Sequence, residues 1–385
     1  MTNHLFVSRQ EDTQQAYISF LHNKENELTN GKKIVKTQKL TFYCETGKYI
    51  YSFRYVKSSS GKLSSPLRDY LGLEKHKNMS LDFRHKLAMK ASRTTYRKCS
   101  EDIHESFGFL LCAKTINKYV KKDAININLC QNTTEAQNIL IADSTKVKNG
   151  KKGHHEVLCA ISLDYEKNSS SLTAFGVNKI AKDISDKIDY SKYKAFVGDG
   201  DLALRNFFNE KLPFHLCHIH AIRDMSFFMW KDGLKKEERD KIMRRFEAIL
   251  YTLQNSTKKY LKTKKKMCRL VSRIIWAKRE LMQLAIYLDS INMLQASRYI
   301  NVHSEHLMTA SKLALAGIKC PFTTNHAERL MLEIGTRTKK KGMYWSELGL
   351  NAMLHMVLKR YFLPKNQRNY KEVFTNETLV VDSYN

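Results

Sequence analysis

The sequence predicts an α/β protein whose sheet-bearing core is interrupted by an all-helical segment and preceded by a β-hairpin and a helix-turn-helix-like region. Three observations carry this. Short apolar runs at 138–143, 157–163, 171–176, 195–197 and 214–216 are separated by turn residues or by helix-patterned stretches. Residues 221–318 hold almost no strand signal and read as long amphipathic helices rich in Lys and Arg. Residues 36–56 alternate aromatic and polar side chains around Glu45-Thr46-Gly47-Lys48, the pattern of a hairpin.

Composition narrows the partners. At 385 residues and 42% hydrophobic content the chain can form two or three domains with a sizeable core. Lys plus Arg number 66 against 38 for Asp plus Glu, a formal charge of +28, which suits a polyanion and nucleic acid first. A membrane is disfavoured: no run approaches the roughly twenty apolar residues a spanning helix needs. The N-terminus, MTNHLFVSRQEDTQQ, also lacks the basic-then-apolar layout of a signal peptide. The eight cysteines include no C-x-x-C pair, as expected of reduced thiols in a cytoplasm.

Taken in order, 1–65 is an N-terminal region, mostly polar, with one amphipathic stretch (Ala16, Tyr17, Phe20, Leu21) ahead of the hairpin. Residues 66–130 turn helical. A helix opens at Ser80 and runs through Met89, and another starts near Ser100. Ile103–Phe109 resembles the first helix and Gly turn of a helix-turn-helix, with Thr115–Val120 as its second helix after a longer turn than the tightest form of the motif. An ordinary three-helix packing unit is the alternative. If the unit binds DNA, Lys114, Asn117, Lys118 and Lys121 lie on its exposed face and would reach phosphates or base edges.

Residues 131–230 begin the core. After a polar joint at 131–135, the run 138–143 ends on Asp143; a second strand follows a basic turn at 148–153, and a third spans 171–176. A helix candidate at 180–188 leads to the run 195–197, stopped by Gly198-Asp199-Gly200. A helix carrying Leu202, Leu204, Phe207 and Phe208, the strand 214–216 and a helix from His218 complete the order β-β-β-α-β-α-β-α. That is the layout of a ribonuclease-H-like catalytic core, in which the ends of the first and fourth strands lie side by side. Asp199 or Asp201 capping the next helix is the plainer reading of the Gly-Asp-Gly turn alone. Placing Asp143 and Asp199 at neighbouring strand ends is what capping would not predict.

Residues 231–320 form the helical insertion, with the basic run Lys258–Lys266 as a solvated helix face first and a phosphate-tracking surface second. Residues 321–363 complete the catalytic domain. Thr324 or Asn325 can cap a helix running to about Thr338, and a last apolar helix spans 348–362. Residues 364–385 are a polar tail.

Three carboxylates, Asp143, Asp199 and Glu328, two at adjacent strand ends and one on a late helix, suit a pair of Mg²⁺ (or Mn²⁺) ions. Asp143 would bridge both ions, with Asp199 on one and Glu328 on the other, for in-line displacement at phosphorus. With these motifs the sequence resembles the DDE transposases of the Mutator-like class and their bacterial and archaeal relatives. The likeness rests on Ile141-Ala142-Asp143-Ser144-Thr145, Val197-Gly198-Asp199-Gly200, Cys217-x-x-His220 and Thr323-Thr324-Asn325-x-x-Glu328-Arg329-Leu330, with Arg337 nine residues beyond Glu328. It covers roughly 137–360. It implies binding to the terminal inverted repeats of a mobile element and to target DNA. It further implies metal-dependent cleavage and strand transfer by a homodimer or higher oligomer, in a prokaryotic cytoplasm near the nucleoid. An inactive or domesticated DNA-binding derivative and a ribonuclease-H-like nuclease are the rivals.

Three points stay open in the sequence. Arg329, Glu333 and Lys340 also fit the Arg, Glu and Lys of another transposase group's Tyr-Arg-Glu-Lys spacing, with His326 where the Tyr would be. Glu328 and Glu333 point about 140° apart on a helix, so only one can face the metals, and the Thr-Thr-Asn lead-in favours Glu328. Cys217-x-x-His220 is half of a zinc site without a second pair nearby, or a hydrogen-bonded junction between strand and helix; the second reading is favoured. Finally, Arg337, Lys340 and Trp345 suit an unstacked base near the cleaved end, unless Trp345 packs against Leu348 and Met353.

Overall fold

The computed structural model describes residues 2–58, 60–74, 78–124, 138–150, 153–165, 169–201, 204, 210–339 and 342–363. The expected joint at 131–135, most of the helix after Asp199, Cys130, Lys340 and the tail from 364 lie outside them. The chain forms two compact units, one of 1–127 with 348–385 and one of 128–347. The last helix is thus grouped with the N-terminal segments, where the sequence reading assigned it to the segment 321–363. Among the described residues no helix is long and apolar enough to cross a membrane.

In the first unit, helix α1 (Thr2–Thr29) precedes the hairpin β1 (Ile34–Cys44) and β2 (Gly47–Lys57), closed by Glu45-Thr46 with Cys44 paired to Gly47. Alternation puts Tyr49, Tyr51, Phe53 and Tyr55 on the buried face, with Leu21 of α1 in the same cluster. The sequence showed only a short amphipathic stretch where α1 runs, because one of its core positions is a charge. Glu25 is 1% exposed, and it accepts from Tyr51 Oη at 3.0 Å and from the Arg54 amide at 2.8 Å. A short strand β3 (Leu63–Ser64) and helix α2 (Pro66–Tyr70) follow.

Helix α3 (Leu81–Ala91) starts at Ser80 as expected, its hydroxyl accepting from the Phe83 amide. Helix α4 (Tyr96–Phe107) begins four residues before the expected Ser100, because Thr95 caps it through the Lys98 amide. It stops at Gly108, whose φ of 71° is left-handed. Helix α5 (Ala113–Ala124) buries Ile116 and Val120 and leaves Lys114, Lys118 and Lys121 exposed, with Asn117 half-buried.

The second unit holds a mixed five-stranded sheet, β4 (Asn138–Asn149), β5 (Gly153–Asp164), β6 (Ser169–Val177), β7 (Tyr193–Gly198) and β8 (Phe214–Leu216), in the order β6-β5-β4-β7-β8. β4, β5 and β6 are antiparallel neighbours; β7 and β8 run parallel to β4. β4 and β7 are buried at nearly every described position where they pair, as central strands should be. A short helix α6 (Ala181–Ser185) and one turn of 3₁₀ helix (Tyr190–Lys192) lie between β6 and β7.

One expectation about β4 needs correcting. Asp143 does not end the strand: β5 pairs with β4 all the way to Asn149–Gly153. The polar half of the hairpin was illegible as strand because it buries only alternate residues such as Val147. What does end beside Asp143 is the pairing with β7, whose last register is Ile141–Val197.

After β8 come four helices in succession: α7 (His218–Lys231), α8 (Lys236–Thr263), α9 (Met267–Ser290) and α10 (Leu294–Leu315). α8 buries Ile242, Met243, Phe246, Ile249, Leu250 and Leu253 along one stripe. Lys258, Lys259, Lys262, Lys264, Lys265 and Lys266 are exposed, which is the solvated face the sequence favoured. Helix α11 (Asn325–Thr338) belongs to this unit, and α12 (Glu347–Phe362) leads into the other.

Candidate functional site

Asp199 stands where the sequence placed it, one residue past the end of β7. Both flanking glycines are required. A Cβ on Gly198 would come within 3.0 Å of the Phe196 ring, and Gly200 has φ +94°. The Asp199 carboxylate accepts the Asp201 amide at 3.0 Å, which fixes it within its own turn. The helix it was expected to cap lies outside the described residues.

Asp143 lies on the neighbouring strand, each of the two Asp residues being two positions past the last β4–β7 pair, Ile141–Val197, and Glu328 bears on Asp143 by charge. Asp143 is half-buried, and its carboxylate accepts the adjacent Ser144 amide at 2.7 Å. Burial pushes its pKa up to about 6, and the negative charges of Asp199 and Glu328 push in the same direction. Glu328 lies in the first turn of α11, beneath Thr324. Thr324 precedes the helix as expected, but its hydroxyl does not cap a backbone amide; it donates to Glu328 Oε1 at 3.0 Å. Glu328, rather than Glu333 five residues on, is the acid of this helix brought to Asp143 and to His220.

The Cys217-x-x-His220 pair is the floor of the same group. Cys217 sits at the N-cap of α7, held by its amide on Gly198 O at 2.9 Å. Its Sγ accepts the Thr324 amide at 3.4 Å, and His220 Nε2 lies 3.9 Å from Glu328 Oε1. Burial works against the Cys217 thiolate, yet hydrogen bonds from His220 and Thr324 outweigh it and hold the thiol below its ordinary pKa. The bond to Cys217 raises the His220 pKa in turn.

Two roles were not read from the sequence. Thr324 appeared in the Thr-Thr-Asn motif and as a helix start, not as a hydrogen-bond partner of the site. Asp224, four residues after His220 and so on the same face of α7, is half-buried; burial raises its pKa, and the Asp199 charge adds to this. The i, i+4 spacing was the available signal.

Other expected contacts fall elsewhere. Arg329 is exposed beside Glu328. Arg337 and Trp345 are 1% and 4% exposed, so neither offers a surface to a base. The Trp345 indole N–H donates to Thr338 O at 3.2 Å, and the Arg337 guanidinium lies 5.0 Å from its ring centre. Leu348, the expected packing partner of Trp345, is 79% exposed. Lys340 lies outside the described residues.

As chemistry, Asp143, Asp199 and Glu328 are oxygen donors, and the negative charges of the latter two disfavour ionisation of Asp143. A stability consequence follows for the metal-free protein. With a folded pKa of about 6 against 3.8 unfolded, folded Asp143 holds its proton more tightly. Stability therefore falls as pH rises through this window; the cost is absent below it and complete above it. It is at most about 3 kcal/mol, less with partial solvation. Asp143→Asn is expected to raise the metal-free melting temperature at pH 8 by a few degrees and to change it little at pH 4. A lowered melting temperature at pH 8 would contradict this placement of Asp143.

Compared with known protein families and curated proteins, the chain matches no family model and no curated protein.

Proposed function

We propose that this chain is a DNA transposase that binds the inverted repeats of a mobile element and performs metal-dependent strand cleavage and transfer. The observation that carries the reading is the register of β4 and β7. Asp143 and Asp199 each lie two residues past the last pair, Ile141–Val197, so two acids far apart in sequence sit on neighbouring strands, with the charge of Glu328 also acting on Asp143. Two further features support it. The mixed sheet in the order β6-β5-β4-β7-β8, antiparallel then parallel, supports a ribonuclease-H-like core. The three helices α8–α10, within the expected 231–320, fall between the second Asp and the Glu, where Mutator-like enzymes carry an insertion.

Asp143, Asp199 and Glu328 would hold two Mg²⁺ or Mn²⁺ ions, which when bound activate the attacking oxygen and stabilise the leaving one. The chain's own part is to present the carboxylates ready-oriented. The Ser144 and Asp201 amides and the Thr324 hydroxyl each fix one of them. In the other unit, Lys114, Lys118 and Lys121 form an exposed basic row on α5 suited to phosphates. The reading includes a homodimer or higher oligomer working on two DNA ends.

The test uses full-length protein, Mg²⁺ and duplexes carrying the DNA that flanks the gene. Nicking at the element boundary, followed by joining of the new 3′ end to a second duplex, is the expected result. Nicking without joining would favour a nuclease, and binding without nicking in either Mg²⁺ or Mn²⁺ would favour a DNA-binding derivative.

A further inference from the structure

We propose a second metal site, for a single thiophilic divalent ion of the Zn²⁺ class, formed by Cys217 Sγ, His220 and Glu328 beside the three-carboxylate group. It does not depend on the transposase reading. One ligand atom from each of the three residues lies within 4.8 Å of the others, Cys217 being buried and the other two half-buried. With bonds of about 2.0–2.3 Å, tetrahedral Zn²⁺ needs ligand separations of roughly 3.3–3.7 Å. The His220 Nε2 to Glu328 Oε1 distance of 3.9 Å is already close to that. The fourth position would be left to water.

What raises this above a chance cluster is its outer shell. Metal ligands are positioned by hydrogen bonds from the residues around them, and here one buried residue touches all three. Thr324 donates its amide to Cys217 Sγ at 3.4 Å and its hydroxyl to Glu328 Oε1 at 3.0 Å. The same hydroxyl oxygen lies 3.4 Å from His220 Nδ1, so it can accept that N–H and leave Nε2 as the ligand. Thr324 is fully buried. The C-x-x-H pair by itself had no second half; Glu328 supplies it from the other end of the unit.

The donor set also separates the two sites chemically. A thiolate and an imidazole select Zn²⁺ or Co²⁺ over Mg²⁺, whereas Asp143 and Asp199 are hard oxygens. Glu328 can belong to both, because a carboxylate can bridge. Ion binding here ties the first turn of α11 to the β8–α7 junction, and so fixes Glu328.

The experiment is a Co²⁺ titration of reduced full-length protein, without DNA, followed by absorption. Expected are a near-ultraviolet thiolate-to-Co²⁺ band and strong visible bands that saturate at one equivalent, reverse on adding Zn²⁺ and persist in excess Mg²⁺. The near-ultraviolet band should vanish in Cys217→Ser, and the affinity should drop by more than an order of magnitude in His220→Ala. Thr324→Val should weaken binding roughly 10–100-fold and Thr324→Ser much less. The near-ultraviolet band should survive in Asp143→Asn, which removes no ligand of this site. Should Cys217→Ser fail to fold, Cd²⁺ is titrated into wild type and His220→Ala, where the ultraviolet thiolate-to-Cd²⁺ band is expected to saturate at one equivalent in wild type and to weaken by more than an order of magnitude in His220→Ala. No band in wild type, a band that survives Cys217→Ser, or a Cd²⁺ band unaffected by His220→Ala overturns the site. Mg²⁺-dependent nicking with no Co²⁺ band would sink this site alone, and a Co²⁺ band without nicking would sink the transposase reading alone.

Discussion

Asp143→Asn, Asp199→Asn and Glu328→Gln are each expected to cut Mg²⁺-dependent nicking at least about 10³-fold while leaving DNA binding nearly unchanged. Each exchange keeps the side-chain shape and removes one unit of negative charge from the group. A bound ion contributes several kcal/mol of charge stabilisation in the transition state, and each 1.36 kcal/mol is tenfold in rate. The three variants should also fail together, because the acids act as one group: the charges of Asp199 and Glu328 both bear on Asp143. On the proposed reading DNA affinity should survive, since it would come from Lys and Arg on other surfaces. Single-turnover nicking and fluorescence anisotropy on the same duplex measure the two quantities. Glu333→Gln and Asp201→Asn serve as controls expected within a few-fold of wild type. A severe loss in Glu333→Gln with a mild one in Glu328→Gln would move the third acid one and a half turns along α11. Equal loss of binding and nicking would mean that the carboxylates support the fold rather than the chemistry.

The strands that position this group were legible because their buried halves are unbroken apolar runs, such as Ile139–Ala142 and Ala195–Val197. Asp199 between its two glycines reads first as a helix cap, and only the strand order that sets it beside Asp143 marks it as a site residue. The limits of β4 were not legible, since beyond Asp143 the strand pairs only with β5 and carries lysines on its open side. The Cys217–His220 spacing was visible as a pair. That Thr324 and Glu328 complete it could not be read, because the contact spans the four helices α7–α10. Glu25 hid α1 for a related reason: a buried carboxylate satisfied by Tyr51 and the Arg54 amide breaks the apolar period that marks a helix face. Arg337 misled in the opposite direction. Within Arg337–Lys341 it looks like one more solvated cation, yet it is 1% exposed and its Nη1 donates to Met343 Sδ at 3.1 Å.

Trp345→Ala is expected to lower the melting temperature by on the order of 10 °C, with loss of function following from loss of fold. The indole is 4% exposed and forms the lid over the buried Arg337 guanidinium, 5.0 Å from the ring centre. Truncating a buried Trp to Ala typically costs about 3–5 kcal/mol, and each kcal/mol moves a unit of this size by about 2–4 °C. The cost here should sit at the upper end, because the cavity would leave a buried cation without its aromatic face. The residue also closes the segment across the β4–β5 hairpin. Its amide donates to Lys148 O at 3.2 Å, and its carbonyl accepts from His155 Nε2 at 2.9 Å, with His155 Nδ1 accepting in turn from Asn178 Nδ2 at 2.8 Å. These backbone bonds persist in the variant, so the segment should stay in place while its core softens. Trp345→Phe keeps an aromatic face over Arg337 but loses the fused five-membered ring and the N–H to Thr338 O, so its melting temperature should fall by less than that of Trp345→Ala. Differential scanning calorimetry of the two variants ranks them. A Trp345→Ala protein that melts with wild type but nicks DNA slowly would return Trp345 to the DNA surface.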